Sequence, residues 1–295
     1  MLRMSHTTHT QPRTSHNSPH YTRVLTIAGS DSGGGAGIQA DLKTFAALGC
    51  YGMSAITALT AQNTVGVQGI HAVPASFLKA QIQSVVEDIG VDAVKIGMLH
   101  EPAIVEVVAW AIDHYQLRHV VFDPVMVATS GDRLINQETV QVLVQELFGR
   151  ATLITPNLDE AALLVGHPIE HAGALDAEAQ RLIDMGAQAV LLKGGHLAGD
   201  TVTDVLLCRG EAPERLSSPR IVSRNVHGTG CTLSSAIAAH LGLGLDLHEA
   251  VRQARAFILQ AIAQGAHVVT GHGHGPLNHG HAPRALNIVS SPDAP

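Results

Sequence analysis

Short apolar runs alternate along the chain with stretches whose apolar positions recur every three or four residues, the signature of buried strands interleaved with amphipathic helices. Residues 24–28 read as a buried strand that runs into glycines, and a helical pattern follows over 37–48. Strand patterns recur at 51–59, 93–96, 120–122, 153–155 and 189–192, with helical segments between them. Residues 74–89 read as a helix with Phe77, Ile82, Val85 and Val86 on its core side. Residues 201–208 form an additional strand or hairpin arm, and 228–241 and 247–263 are the last two helices. Such alternation predicts an α/β fold: a doubly wound, mostly parallel sheet flanked by helices, joined by right-handed crossovers. No internal repeat or linker divides the pattern. A single domain is therefore expected over 22–285, between a disordered polar tail at 1–21 and a flexible tail at 286–295.

The composition fits that picture and narrows the function. Of 295 residues, 45% are hydrophobic, 15% charged and 3% aromatic, so the core must be built from Ala, Val, Leu and Ile. The formal net charge of -7 offers no basic face for nucleic acid or an anionic membrane. Phosphate ligands remain open, because helix N-termini bind them through backbone N–H groups. No apolar stretch reaches membrane-spanning length, and residues 1–20 lack the apolar core of a signal peptide. The three widely spaced cysteines, Cys50, Cys208 and Cys231, argue against a disulfide framework and for a reducing, cytoplasmic setting. Nineteen histidines are present, with clusters at 6–20 and 267–281. Within the second cluster, Gly271-His272-Gly273-His274-Gly275-Pro276 suits a loop better than a specific metal site.

Two glycine-rich segments carry candidate chemistry. The first, Gly29-Ser30-Asp31-Ser32-Gly33-Gly34-Gly35-Ala36-Gly37, lets backbone approach a ligand closely, or is simply a strand-to-helix turn. Asp41, one turn into the following helix, either complements the helix dipole or accepts a hydrogen bond from a substrate hydroxyl. The second, His227-Gly228-Thr229-Gly230-Cys231-Thr232, opens an apolar helix with N–H groups converging on one point, suited to charge developing on a transferred phosphoryl group. A thiol in that first turn usually has a lowered pKa, which makes Cys231 a candidate proton acceptor; the alternative is a small buried Cys at a close helix–strand contact.

Gly228-Thr229-Gly230-Cys231 resembles the anion-hole motif of the ribokinase-like superfamily, most of whose members carry Asp in the last position. Cys there resembles the branch of hydroxymethylpyrimidine/phosphomethylpyrimidine kinases of thiamine biosynthesis and some pyridoxal kinases. Ala61-Gln62-Asn63-Thr64, Lys95-Ile96-Gly97-Met98-Leu99, Asp123-Pro124-Val125-Met126, Thr155-Pro156-Asn157-Leu158-Asp159-Glu160 and Lys193-Gly194-Gly195-His196 follow in the same order. The resemblance implies successive phosphorylation of a hydroxymethyl-bearing pyrimidine and of its monophosphate by ATP with Mg²⁺. It implies Cys231 as base, with Gly228 and Gly230 in the anion hole. It implies Gln62, Gly29, Asp41, Met98 and Val125 as substrate contacts; Lys193, Asn157 and Thr229 as ATP contacts; Glu160 and Asp123 at the metal; and a homodimer. Met98 reads equally as core packing, Asp123 as a strand-end cap and Lys193 as a surface lysine. One departure is Ala128-Thr129-Ser130-Gly131, where relatives often carry Lys in second position. Glycines near 129–132 and 194–200 suit moving loops. A pyridoxal kinase is the alternative, with Gln62-Asn63-Thr64 favouring the pyrimidine. A non-catalytic ligand sensor would not need Asp41, Asn157, Glu160, Lys193 and Cys231 together.

Overall fold

The structure is a computed structural model that describes residues 18–126 and 135–290. The departure at 128–131 and the loop at 129–132 lie outside the described residues, as do most of the first tail and the end of the second. In chain order the elements are β1 (His20–Tyr21), β2 (Arg23–Asp31), α1 (Gly37–Ala47), β3 (Tyr51–Gln62), β4 (Val67–Ala72), α2 (Ala75–Asp88), β5 (Ala93–Ile96) and α3 (Pro102–Tyr115). Next come β6 (Val120–Phe122), α4 (Gln137–Leu147), β7 (Leu153–Ile154), α5 (Leu158–Val165), α6 (Leu175–Asp184) and β8 (Ala189–Leu192). The chain finishes with β9 (Thr201–Cys208), β10 (Glu214–Pro219), α7 (Thr229–Gly242), α8 (Leu247–Gly265) and β11 (Ile288–Val289).

Nine strands form one sheet in the order β10-β9-β8-β7-β6-β5-β2-β3-β4. Pairings from β3 across to β8 are parallel, and β4, β9 and β10 add antiparallel edges. Strand side chains alternate between two cores. Leu25, Ile27, Val94, Ile96 and Phe122 face one side with Leu78, Ile104, Val108, Leu143 and Leu182. Val24, Ala93, Val121 and Leu191 face the other with Phe45, Ile237, Val251 and Ala254. The strand order reverses between β2 and β5, and in open α/β sheets the crevice outside the carboxyl ends of strands at such a switch point holds the ligand.

Three details depart from the sequence pattern. Phe77 is 62% exposed, because the inward stripe of α2 is Leu78 and Ile82, with Val85 and Val86 partly buried beside it. The sequence reading passed over β4, which is mostly exposed, and β10, whose residues are largely polar, so neither carries strong apolar alternation. His20 and Tyr21 pair antiparallel with Val289 and Ile288, so backbone pairing extends beyond both edges of the 22–285 stretch.

Candidate active site

A cavity of about 620 Å³ opens at the carboxyl ends of the central strands. Its floor is the glycine-rich turn after β2. Asp31 closes that turn by accepting hydrogen bonds from the N–H groups of Gly33 (2.8 Å), Gly35 (3.0 Å) and Ala36 (2.8 Å). Gly37, at φ 55°, opens α1, and a Cβ there would collide with the Gly29 carbonyl. Gly228, at φ 83°, caps α7, and a Cβ there would collide with the Gly35 carbonyl. The two glycine segments therefore interlock, backbone against backbone. His227 ties them again through Nε2, 2.9 Å from Asp31 Oδ2. Burial pushes the Asp31 carboxyl up, but His227 and the N–H groups of Ala36 and Gly33 overrule it and hold it below the usual carboxylate range.

Cys231 sits in the first turn of α7 and accepts a hydrogen bond from the Gly37 N–H. Its pKa departs from the sequence expectation. Burial, then the charges of Asp41 and Asp123, push the thiol up to about 11, against the pull of the Lys95 ammonium. The anion hole is also narrower than the motif suggested, because the Thr229 N–H bonds back to Val226 O (3.2 Å). Gly228, Gly230 and Cys231 line the cavity beside it.

Asp41 does not line the cavity. It is fully buried, and its carboxylate accepts from Thr26 Oγ1 (2.6 Å), Ser235 Oγ (2.6 Å) and Lys95 Nζ (3.0 Å). With its oxygens so engaged it holds the Lys95 ammonium in place. Lys95 does line the cavity. Burial works against its ammonium, but Asp41, Cys231 and Asp123 together raise its pKa. Sequence reasoning gave Lys95 no role, although a lysine inside a wholly apolar strand is itself a signal.

Asp123, Lys193, Asn157 and Glu160 converge on the far wall. Lys193 Nζ (2.8 Å) and Thr155 Oγ1 (2.9 Å) both donate to Asp123 Oδ1. Burial would raise the Asp123 pKa, but Lys193 and Lys95 lower it, so the carboxylate stays ionised. Gly230 leaves room for this pair: a Cβ there would stand 3.2 Å from Lys193 Nζ and 3.4 Å from Asp123 Oδ2. Asn157 and Glu160 form the capping box of α5, with Asn157 Oδ1 accepting from Glu160 N (2.9 Å) and Glu160 Oε2 accepting from Asn157 N (2.8 Å). Glu160 also takes the Met126 N–H, and burial raises its pKa to about 7, with Asp123 adding to the shift and Lys193 opposing it.

Gly29, Gln62, Met98 and Val125 line the opposite end. Met98 Cε lies 2.9 Å from where a Gly29 Cβ would be, so a larger residue at 29 would displace the Met98 side chain. Gln62 stands beside Thr60 Oγ1 (3.2 Å) and His227 Nε2 (3.4 Å). Sequence reasoning missed the Asp31–His227 pair and an apolar wall of Val202, Ile221, Ile258, Leu259 and Ile262. It also missed Arg220, which donates to the carbonyls of Gly195 (2.9 Å), Leu197 and Gly199 (2.7 Å) and so tethers the loop expected to move.

Comparisons with known proteins agree with this geometry. The family model described as phosphomethylpyrimidine kinase matches residues 31–278. The hydroxymethylpyrimidine/phosphomethylpyrimidine kinase of Rhizobium meliloti is 50% identical over 259 residues, 88% of this chain and 97% of its own length. The thiamine biosynthesis bifunctional protein of Geobacter sulfurreducens is 52% identical over 257 residues, 87% of this chain, and the match spans 52% of that protein. Among solved structures, an ADP complex of Bacillus subtilis pyridoxal kinase has a TM-score of 0.82 at 39% identity, covering 88% of this chain and 98% of that one. With its fold, its interlocked glycine segments and these matches, the chain belongs to the phosphomethylpyrimidine kinase family.

Proposed function

We propose that this chain is an ATP-dependent kinase that phosphorylates 4-amino-5-hydroxymethyl-2-methylpyrimidine and then its monophosphate to the pyrophosphate, for thiamine biosynthesis. The observation that carries this reading is Cys231 at the start of α7, between the two interlocked glycine segments and beside Lys95. The names of the relatives support the substrate.

In this reading the pyrimidine lies between Gly29, Met98 and Val125, with Gln62 hydrogen-bonding its polar edge. The hydroxymethyl oxygen points at Cys231, which takes its proton. The N–H groups of Gly230 and Cys231 and the Lys193 ammonium hold the charge developing on the transferred phosphoryl group. The nucleotide occupies the side walled by Ile258, Leu259 and Ile262. Asp123 and Glu160 offer only oxygen donors at the phosphate end, a set that fits Mg²⁺, which keeps most of its waters and needs one or two carboxylates. When bound, Mg²⁺ supplies neutralising charge to the phosphates. Asp41 acts through Lys95, and Asn157 acts through Glu160.

The unpaired state of Cys50, Cys208 and Cys231 supports a cytoplasmic location. No helix among the described residues is long and apolar enough to cross a membrane. A homodimer is part of the proposal, and the exposed Leu59, Val65 and Ile70 on and around the β3–β4 ribbon support it. The resemblance to pyridoxal kinase keeps one alternative substrate in view. Mg-ATP assays with the hydroxymethylpyrimidine, its monophosphate and pyridoxal test the proposal side by side. Turnover of both pyrimidines at higher kcat/KM than pyridoxal is the expected outcome. A clear preference for pyridoxal overturns the substrate assignment and leaves the kinase site standing.

A further inference from the structure

Away from the kinase cavity, β9, the turn after it and the start of α8 bring three metal-binding groups together. Cys208 ends β9, Glu211 lies in the turn before β10, and His248 lies in the first turn of α8. Their ligand atoms all lie within 4.8 Å of one another. His248 Nε2 stands 3.0 Å from Glu211 Oε2 and 3.7 Å from Cys208 Sγ. We propose that Cys208, Glu211 and His248 bind one divalent transition-metal ion of the zinc class.

The surroundings of His248 favour this over a chance cluster. A metal-ligating histidine usually donates its other ring N–H to a carboxylate, which fixes the tautomer and aims the lone pair. Here His248 Nδ1 lies 2.7 Å from Glu214 Oε2, and Glu214 Oε1 is itself held by Arg252 at 2.8 Å. Nε2 faces Glu211 Oε2, which can only accept, so without a metal Nε2 donates to it; an ion would take the place of that proton while Nδ1 goes on donating to Glu214. Thiolate, imidazole and carboxylate form a donor set for Zn²⁺ and its neighbours, whereas Mg²⁺ prefers oxygen alone. Without a cation, burial and then Glu211 and Glu214 push the Cys208 thiol up to about 11. Binding replaces the Cys208 thiol proton and the His248 Nε2 proton by the metal, both protons leaving to solvent; water completes the coordination.

The ion would fasten the β9–β10 turn to the start of α8. The same two elements are joined further along by Arg255 and Asp204 (2.8 Å), and α8 goes on to supply Ile258, Leu259 and Ile262 to the cavity wall. The site is thus a clamp on the wall behind the proposed nucleotide position, independent of the phosphoryl-transfer residues.

Co²⁺ is the probe, titrated into the metal-free full chain, with Zn²⁺ in competition. One equivalent should produce thiolate-to-cobalt charge-transfer absorption, which Zn²⁺ then displaces. Cys208→Ser should abolish the band, and Cys231→Ser should keep it. Glu214→Gln should weaken Zn²⁺ about 10–100-fold, the usual cost of losing a carboxylate behind a histidine ligand. Glu211→Gln changes an exposed turn residue and should weaken Zn²⁺ comparably while the chain stays folded. Kinase activity measured on the Cys208, Glu211 and Glu214 variants reports their folding. The histidines at 6–20 and 267–281 are unchanged in every variant, so their binding cancels. A band that survives Cys208→Ser, a Zn²⁺ affinity indifferent to Glu211→Gln and Glu214→Gln, or no stoichiometric binding overturns the proposal and leaves His248 as a bridge between two glutamates.

Discussion

At neutral pH the Cys231 thiol, pushed up to about 11, holds its proton, so a mechanism that uses its thiolate draws on a small fraction of the enzyme. Raising the pH enlarges that fraction about tenfold per unit until the pKa is reached. We therefore expect kcat/KM to climb with pH across the neutral range. In Cys231→Asp the carboxylate is already ionised, and the profile should flatten. Cys231→Ala should lower kcat by roughly 10²–10⁴-fold, the range for one general base. A flat profile in the parent, or near-full kcat in Cys231→Ala, removes Cys231 from this role. The motif located Cys231 in the sequence, but the direction of its shift was not legible there. It comes first from burial and then from Asp41 and Asp123, which are far from it in the chain and close in the fold. Lys95 shows the complementary case. Lys95→Met strips a buried carboxylate of its cation, and about 3–5 kcal/mol of stability should be lost. Adding Asp41→Asn should recover part of that loss in urea unfolding. If the single and double variants unfold alike, the pair is not coupled as described.

Among the elements, α5 and α7 show how one motif serves structure and chemistry together. The N-x-x-E spacing of Asn157 and Glu160 was legible as a phosphate and metal motif, and the structure adds that it is the capping box of α5. Asn157→Ala removes the cap and should cost about 0.5–2 kcal/mol. The Glu160 carboxylate keeps the Asn157 backbone N–H, and what is lost is the acceptor for the Glu160 N–H; unchanged stability would refute the cap as a structural element. Gly228→Ala acts differently. It places a side chain at φ 83° and against the Gly35 carbonyl, so both glycine segments must part. Strain of about 1–3 kcal/mol is expected at such a residue, together with a fall in kcat that Thr229→Ser does not reproduce. Wild-type kcat in Gly228→Ala would break the claim of interlocking. The long strands and helices were legible because their apolar periods are strong. β4 and β10 were not, since β4 is mostly exposed and β10 is built largely of polar residues, and such strands carry no such pattern.

For the whole molecule, the doubly wound order could be read from strand–helix alternation, and the switch point between β2 and β5 explains why residues from 29 to 231 meet in one crevice. What the alternation could not reveal is which polar groups the fold buries, and these set its response to acid. Burial lowers the pKa of His240 and of His279 to about 4, with Arg284 and Lys43 respectively adding to the effect. A histidine whose folded pKa is depressed takes up protons more readily when unfolded. Each therefore withdraws on the order of 3 kcal/mol of stability as pH falls from about 6.5 to 4. Glu160 works in the opposite sense: its folded pKa of about 7 exceeds the unfolded one, so the native state takes up a proton first and gains a comparable amount between 7 and 4.5. Two losses against one gain leave a net fall, on the order of 3 kcal/mol between pH 7 and pH 4. Urea midpoints measured without nucleotide or Mg²⁺ should show it. In Glu160→Gln the compensating gain is gone, and the fall should roughly double. In His279→Asn, which also alters the contact to Thr232 Oγ1 (2.9 Å), the fall should nearly vanish. A parent midpoint that does not move with pH, or a Glu160→Gln slope equal to the parent's, would show that these buried groups do not govern the acid limb.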